Sequence, residues 1–413
     1  MRNVNYYLWL QKALGPGANN TGLIFSTFSS AEEIYNMSPY ERRISGVFTP
    51  LQIDRMEKND IEDTYKIVEE CSKRSVDIIT FPEPDFPDLL REIQDPPVLL
   101  FVRGSLESYY DKVPIAIVGT RNDTDACRAA AQELSKIASQ CGFCVVSGGA
   151  IGIDTAAHLG ALRAGADTIA VLGGAIGDNY LKANETLRSV IERQGALVSE
   201  YPPFTEVYKA TFPIRNRLIS GMTVGTIVVE AKNVSGSLIT AHHALEQGRD
   251  VMAIEWESKD LPPEKRHSSK AGNFSLLDGG AKAIKMPMDL ITEYIGRFPE
   301  TIKICEDVDL SIDLTKLGLP RRVQDNQIQK IYEKSEKERI AWRDRHKPLK
   351  RDIVDPLSEE AKRVYKVMPR DPISTWELSE SLCMPASSLL GALTELELYG
   401  YVELLPNTKY VIK

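Results

Sequence analysis

The sequence predicts an α/β protein: a doubly wound extended Rossmann core with an N-terminal small helical domain and a C-terminal winged-helix-like domain. Three observations lead there. Short apolar runs recur at roughly 24- to 30-residue intervals between Ile115 and Ile254, with amphipathic stretches between them, as βα units of a parallel sheet require. Several of those runs end in glycine (Gly119, Gly148-Gly149, Gly173-Gly174), which puts tight turns at the carboxyl ends of the strands, where such sheets bind ligands. The last segment reads as three helices, then two short strands around the Pro406-Asn407 turn, the order of a winged helix.

Taken in chain order, 413 residues allow about three domains. Residues 1–80 read as an N-terminal helical domain of the SAM or helix-hairpin-helix kind. Residues 81–112 form a proline-rich junction, because Phe81-Pro82-Glu83-Pro84-Asp85-Phe86-Pro87 forbids regular helix. The Rossmann core spans 113–297. Its strands are predicted at Ile115–Val118, Cys144–Ser147, Thr168–Leu172, Ala196–Ser199, Thr226–Val229 and Asp250–Ile254. Residues 298–355 read as a basic linker, with 11 Lys and Arg against 5 Asp and Glu between Arg321 and Arg351. Residues 356–413 complete the chain. The third helix of that tail, Ser387 to Leu398, carries Glu395 and Glu397 and no basic residue, which favours a protein-contact module over a groove reader.

Composition narrows the function. With 43% apolar and 26% charged residues the chain can bury a sizeable core. The apolar stretch Tyr6 to Leu10 is cut short by Gln11 and Lys12, too brief for a signal peptide, and six scattered cysteines agree with a reducing compartment, so a cytoplasmic protein away from membranes is expected. A net charge of −8 repels polyanions globally, and any nucleic-acid site must be local. Val113 to Lys285 is neutral, with 18 charges of each sign.

Most chemistry-bearing motifs are missing. There is no G-x-x-x-x-G-K-S/T phosphate loop, no H-E-x-x-H, and no G-x-S-x-G elbow. His242 and His243 are adjacent, so on a helix they diverge by about 100° and do not share an ion. Cys141 and Cys144 match C-x-x-C but lead out of a helix into a strand, the wrong end of the dipole for a redox thiolate. No catalytic residue, metal or cofactor is expected.

Loops suited to phosphate remain. Ser147-Gly148-Gly149-Ala150-Ile151-Gly152 follows a strand and opens a helix, so its N–H groups converge near a positive dipole end. Phe212-Pro213-Ile214-Arg215-Asn216-Arg217 sets two arginines around an asparagine just before a helical turn, and guanidinium forks match phosphate oxygens. The other reading of either arginine is a buried ion pair with Glu200 or Glu230 that pins a loop. Ser235-Gly236-Ser237 supplies a possible additional phosphate nest at another helix start.

Ile115 to Arg121 (IAIVGTR), Val145 to His158 (VVSGGAIGIDTAAH), Thr168 to Gly173 (TIAVLG), Ser199 to Pro203 (SEYPP), Phe212 to Gly221 (FPIRNRLISG), Val229 to Ala241 (VEAKNVSGSLITA) and Glu246 to Ala253 (EQGRDVMA) together resemble the DNA-processing protein A family, DprA or Smf. Gly272-Asn273 and Gly279-Gly280-Ala281 continue the match, and the segment from Phe86-Pro87 to Gly104 resembles what precedes the core in that family. The resemblance implies a non-enzymatic core that binds single-stranded DNA without sequence preference, forms a homodimer through the Rossmann core, protects incoming DNA and loads the RecA recombinase onto it in natural transformation. Carried over by position, the DNA-binding residues would be Arg121, the backbone of Ser147, Gly148, Gly149 and Gly152, and Lys209, Arg215 and Arg217, with Asn216 shaping the loop. Three positions depart from the family pattern: Ile151 where a basic residue is frequent, Cys127 for a common glycine in the loop after Arg121, and Leu181 where proline is usual. Single-strand binders also add aromatic platforms, and Phe204, Tyr208 and Phe212 are candidates, Phe212 equally as core.

Two other classes stay in view. A phosphoribohydrolase-like enzyme or sensor of a small nucleotide would use Glu230 as acid/base, although the P-G-G-x-G-T-x-x-E pattern is absent. A transcription factor acting through the tail would need basic residues that its third helix lacks.

Overall fold

The computed structural model describes residues 4–177, 184–205, 207–208, 210–257, 267–305, 307–318, 333–334, 337, 357–368, 373–382, 384–399, 401–404 and 409–412. Lys209, Leu181 and nearly all of the basic stretch 321–351 lie outside them.

Six short helices open the chain: α1 (Val4–Leu14), α2 (Thr21–Thr27), α3 (Ala31–Asn36), α4 (Pro39–Ile44), α5 (Pro50–Lys58) and α6 (Glu62–Lys73). Local chemistry starts two of them. Ser38-Pro39-Tyr40-Glu41 and Thr49-Pro50-Leu51-Gln52 each form a capping box with proline in the first helical position, satisfying N–H groups that a helix start would otherwise orphan. Trp9, Leu10, Ile24, Ile34, Phe48, Ile53 and Met56 bury against one another as the core of this part.

Strand β1 (Asp77–Thr80), helix α7 (Asp88–Arg91), strand β2 (Leu99–Gly104) and helix α8 (Glu107–Asp111) follow. The predicted alternation comes next: β3 (Val113–Val118), α9 (Asp125–Gln140), β4 (Phe143–Ser147), α10 (Ile153–Arg163), β5 (Thr168–Leu172), α11 (Glu185–Ile191) and β6 (Gly195–Ser199). The second half runs α12 (Thr211–Gly221), β7 (Gly225–Val228), α13 (Gly236–Glu246), β8 (Asp250–Ile254), α14 (Ala271–Asp278), β9 (Lys282–Ile284) and α15 (Pro287–Tyr294). The nine strands form one sheet in the order β1-β2-β6-β5-β4-β3-β7-β8-β9, parallel except for the β1/β2 and β2/β6 pairs.

Period-two alternation explains the two layers of core. Ile115, Ile117 and Val145 face one side with Ala130, Leu134 and Ile137 of α9, while Ala116, Val118 and Val146 face the other with Leu218 and Ile219 of α12 and Ala241 and Ala244 of α13. Both faces are covered, so the strands read as unbroken apolar runs. Each fully buried aliphatic side chain contributes about 1.5–3 kcal/mol. Because β3 to β6 build outward one way and β7 to β9 the other, the order reverses between β3 and β7, and a crevice opens at the carboxyl ends there.

Four details differ from the sequence reading. Asp77–Thr80 and Leu99–Gly104 are strands of the core sheet, not parts of a helical domain and a junction; Pro96-Pro97 only announces β2. Ile302, Leu310 and Leu314 are buried in the core layer, and Lys303 N–H donates to Cys141 at 3.0 Å, so the packed body continues past residue 297; the charged residues between those three disguise it. The Phe212–Arg217 motif lies inside α12 and does not precede it. Cys127 sits in the first turn of α9, not in a loop.

The tail comprises α16 (Glu359–Val367), β10 (Ile373–Ser374), α17 (Thr375–Leu382), α18 (Ala386–Leu398), β11 (Val402–Leu404) and β12 (Lys409–Ile412), with sheet order β10-β12-β11, a winged helix. Glu395 on α18 accepts from the backbone and hydroxyl of Ser358, so one of the two acids on that helix is used to hold the start of α16. No helix among the described residues is long and apolar enough to cross a membrane.

Asn273 closes the sheet's second half. Buried, it donates through Nδ2 to the carbonyls of Val228, Val229 and Ile254 at 3.0–3.2 Å and accepts from Ala231 N–H at 2.8 Å, tying the exit of β7 to β8. Asn273→Asp sets a carboxylate against those carbonyls, and thermal and urea denaturation should show a loss of about 3 kcal/mol or more. A melting curve like wild type would remove Asn273 from this role.

Candidate nucleic-acid interface

The loops predicted to hold phosphate meet at the carboxyl edge of the sheet, but their side chains divide into two kinds. Some are consumed in building the edge. Others face solvent.

Arg215 belongs to the first kind. It is 3% exposed, and its Nη1 donates to the carbonyl of Gly148 at 2.5 Å and to that of Val171, bracing the ends of β4 and β5 together. The buried carboxyl of Asp154 lies beside it; burial raises the pKa of Asp154, and the Arg215 charge opposes that rise. A Cβ on Gly148 would meet Asp154 Oδ2 at 2.5 Å and Arg215 Nη1 at 2.6 Å, so glycine is needed there to let the pair close.

Arg217 is equally buried. Its Nη2 lies 2.7 and 2.6 Å from the two oxygens of Glu200, and its Nη1 donates to Asp95 O at 2.7 Å. Glu200 also accepts from Gly17 N–H at 3.3 Å. Burial pushes the Glu200 carboxyl up and Arg217 opposes the shift. For Arg217 the geometry is therefore that of the loop-pinning pair, with Glu200 as partner.

Within the glycine loop, Ser147 Oγ donates to Ile117 O at 2.7 Å and Ala150 N–H donates to Asp154 at 3.4 Å. Gly149 and Gly152 have φ of +65° and +91°, and a Cβ on Gly152 would be 2.4 Å from Thr120 O, so this turn seats the loop after β3 on the start of α10. The whole of Ser147–Gly152 is buried. Asn216 donates to Gly236 O at 3.0 Å and so shapes the loop after β7. There Ser235 caps α13, accepting from Ser237 N–H at 3.4 Å, and a Cβ on Gly236 would meet nothing within 4 Å.

Arg121 is the outward member. It follows β3, is exposed, and holds its guanidinium 5.0 Å from the ring of Phe212, which packs on Gly173. Across the β3/β7 crevice a pair not foreseen from sequence repeats the arrangement: the Lys270 ammonium sits 4.5 Å from the Trp256 ring, whose indole N–H donates to Val229 O at 2.6 Å. The cue, a lysine beside Gly272-Asn273, was present, but its aromatic partner lies on another loop. Cation–aromatic pairs of this kind offer charge to phosphate and a face to bases. Glu230, buried in the crevice, accepts from Thr124 N–H at 3.1 Å through one oxygen, and the other oxygen has no hydrogen-bond partner. No cluster of metal-ligating side chains occurs among the described residues.

Because Arg217 joins three segments, Arg217→Ala strands Glu200 without its charge partner. The variant should lose about 3–5 kcal/mol in chemical denaturation. Unchanged stability would free Arg217 for a direct ligand role.

Known proteins align with this fold and these loops. The family model of DNA recombination-mediator protein A matches residues 77–295, and that of the DprA winged helix domain matches 349–407. The DNA processing protein DprA of Bacillus subtilis is 36% identical over 240 residues, 57% of this chain and 78% of the relative. Protein Smf of Synechocystis is 29% identical over 350 residues, 84% of this chain and 82% of the relative. The crystal structure of DprA from Streptococcus pneumoniae superposes with a TM-score of 0.59 at 32% identity, covering 71% of this chain and 99% of that one. The first family match alone takes in more than half of the sequence, and the chain belongs to the DNA recombination-mediator protein A family, the DprA or Smf proteins.

Proposed function

We propose that this chain is a non-enzymatic, cytoplasmic single-stranded DNA-binding protein that protects incoming DNA and loads the RecA recombinase onto it, acting as a homodimer through the Rossmann core. The observation that carries the reading is the exposed Arg121 guanidinium over Phe212 at the carboxyl edge of β3, the strand that pairs with β7. A cation stacked on an aromatic ring attracts phosphate without reading base edges, and with a net charge of −8 that attraction is local and not global. Membership of a recombination-mediator family supports the recombinase step. In this reading Arg121 and Lys209 touch phosphate, Asn216 sets the nest, and Arg215 and Arg217 act by holding the loops that carry the contacts. The buried cysteines support a binder over a thiol enzyme, since burial pushes the Cys141 thiol up to about 11 and that of Cys144 up to about 12.

Anisotropy with labelled oligo-dT and a matched duplex, at two salt concentrations, tests it. Wild type should prefer the single strand and weaken with salt in proportion to phosphates neutralised, with a log–log slope of about −0.7 per contact. Arg121→Glu should lose about tenfold or more with an unchanged melting temperature. Equal binding by that variant would refute the interface.

A small-nucleotide enzyme or sensor is the second reading, favoured by the unpartnered oxygen of Glu230 in the crevice. Release of free base from nucleoside monophosphates, lost in Glu230→Gln, would establish it in place of the first.

A further inference from the structure

The loop between β6 and α12 carries an aromatic side chain that the fold does not bury. Phe204 is 68% exposed, although it is a large apolar residue in the middle of a loop. Its backbone φ is +67°, a left-handed conformation that a bulky side chain adopts only at a cost. Such a cost is retained where surrounding structure holds the geometry, and beneath the ring the guanidinium of Arg74, the residue that caps the end of α6, lies 4.7 Å from the Phe204 ring centroid. Arg74 is itself held by Glu70 at 2.6 Å, so the ring rests on a fixed plane. One face of the ring is covered by a cation and the residue remains largely open to solvent.

The loop after β5 lies alongside two arginines that carboxylates hold in place, Arg74 on Glu70 and Arg103 on Glu192 at 2.8 Å. A Cβ on Gly177, in the loop after β5, would stand 3.5 Å from Arg74 Nη1 and 3.6 Å from Arg103 Nη1, so two guanidiniums converge on that backbone. Strands β6, β5, β4 and β3 are neighbours and parallel, and Phe204 follows β6 as Arg121 follows β3. Three strand spacings, about 14 Å, separate those two strand ends, a span of a few nucleotides.

We infer that Phe204, seated on Arg74, is a base-stacking platform that engages the strand beyond the Arg121 contact, so that the N-terminal region contributes a cation to the DNA-binding edge. This rests on the single-strand reading above. It assigns stacking to an exposed ring and gives Arg74, at the end of α6, a part in binding.

The test compares a 12-mer of dT with an abasic 12-mer of the same backbone, each titrated against full-length wild type, Phe204→Ala, Phe204→Trp and Arg121→Glu. Stacking on one base is worth roughly five- to hundredfold in affinity. Phe204→Ala should lose that factor on oligo-dT and none on the abasic strand, with its melting temperature retained. Phe204→Trp should bind oligo-dT like wild type, and its added emission should be quenched by oligo-dT but not by the abasic strand. Equal affinity of Phe204→Ala and wild type for oligo-dT overturns the platform, as does an equal loss on both strands, which marks a structural rivet. If Arg121→Glu loses binding while Phe204→Ala does not, the platform fails and the single-strand reading stands. If wild type binds neither strand, both fall.

Discussion

Arg217 and Glu200 face each other with both side chains nearly fully buried, two guanidinium–carboxylate contacts of 2.6 and 2.7 Å between them. Two desolvated charges stabilise a fold only when geometry and further hydrogen bonds offset the loss of water. Here the surroundings supply them: Asp95 accepts from the guanidinium, Gly17 N–H donates to the carboxylate, and Gln11 donates to the Glu200 carbonyl. The N-terminal helices, the segment before β2, the end of β6 and helix α12 thus meet at one ion pair. The loops that α12 braces inherit their position from that meeting, because the same helix carries Phe212, Arg215 and Asn216.

A division of labour follows along one helix. Arg215 reaches across two strand ends and Asn216 reaches to Gly236, while Phe212 at the helix start supplies the ring beneath Arg121. The arginines that look most suited to phosphate by pattern are therefore internal braces, and the cation that meets solvent belongs to the loop after β3. Buried braces keep the surface loops at fixed separation, which suits repeated contact with a uniform phosphate backbone better than mobile side chains would.

The central sheet was legible because its strands are covered on both faces: Ile115–Val118 and Thr168–Leu172 admit no polar interruption, and glycines mark their ends. β1 and β2 were not, since Asp77-Ile78-Ile79-Thr80 is four residues long and Leu99–Val102 follows two prolines, so neither shows the period of its neighbours. Residues 302–314 hid three buried side chains among charged ones. At the site, Arg-Asn-Arg announced a cluster with Glu200 or Glu230 as the alternative to phosphate, and the residues alone left that choice open. Whether a guanidinium meets phosphate or Glu200 is decided by how separate segments pack, which is also why Arg74 as the partner of the candidate ring Phe204, and the Lys270–Trp256 pair, escaped the reading.

The edge of the sheet from the loop after β7 to the loop after β6 is the surface proposed to receive the DNA. Hydrogen–deuterium exchange of the full chain with and without a saturating dT oligonucleotide measures this directly. Slowed exchange in 119–124, 173–177, 200–205 and 233–237, with the opposite ends of the same strands unchanged, is the predicted result. Protection confined to the opposite edge or to the winged helix would place the DNA elsewhere and refute this edge as the interface.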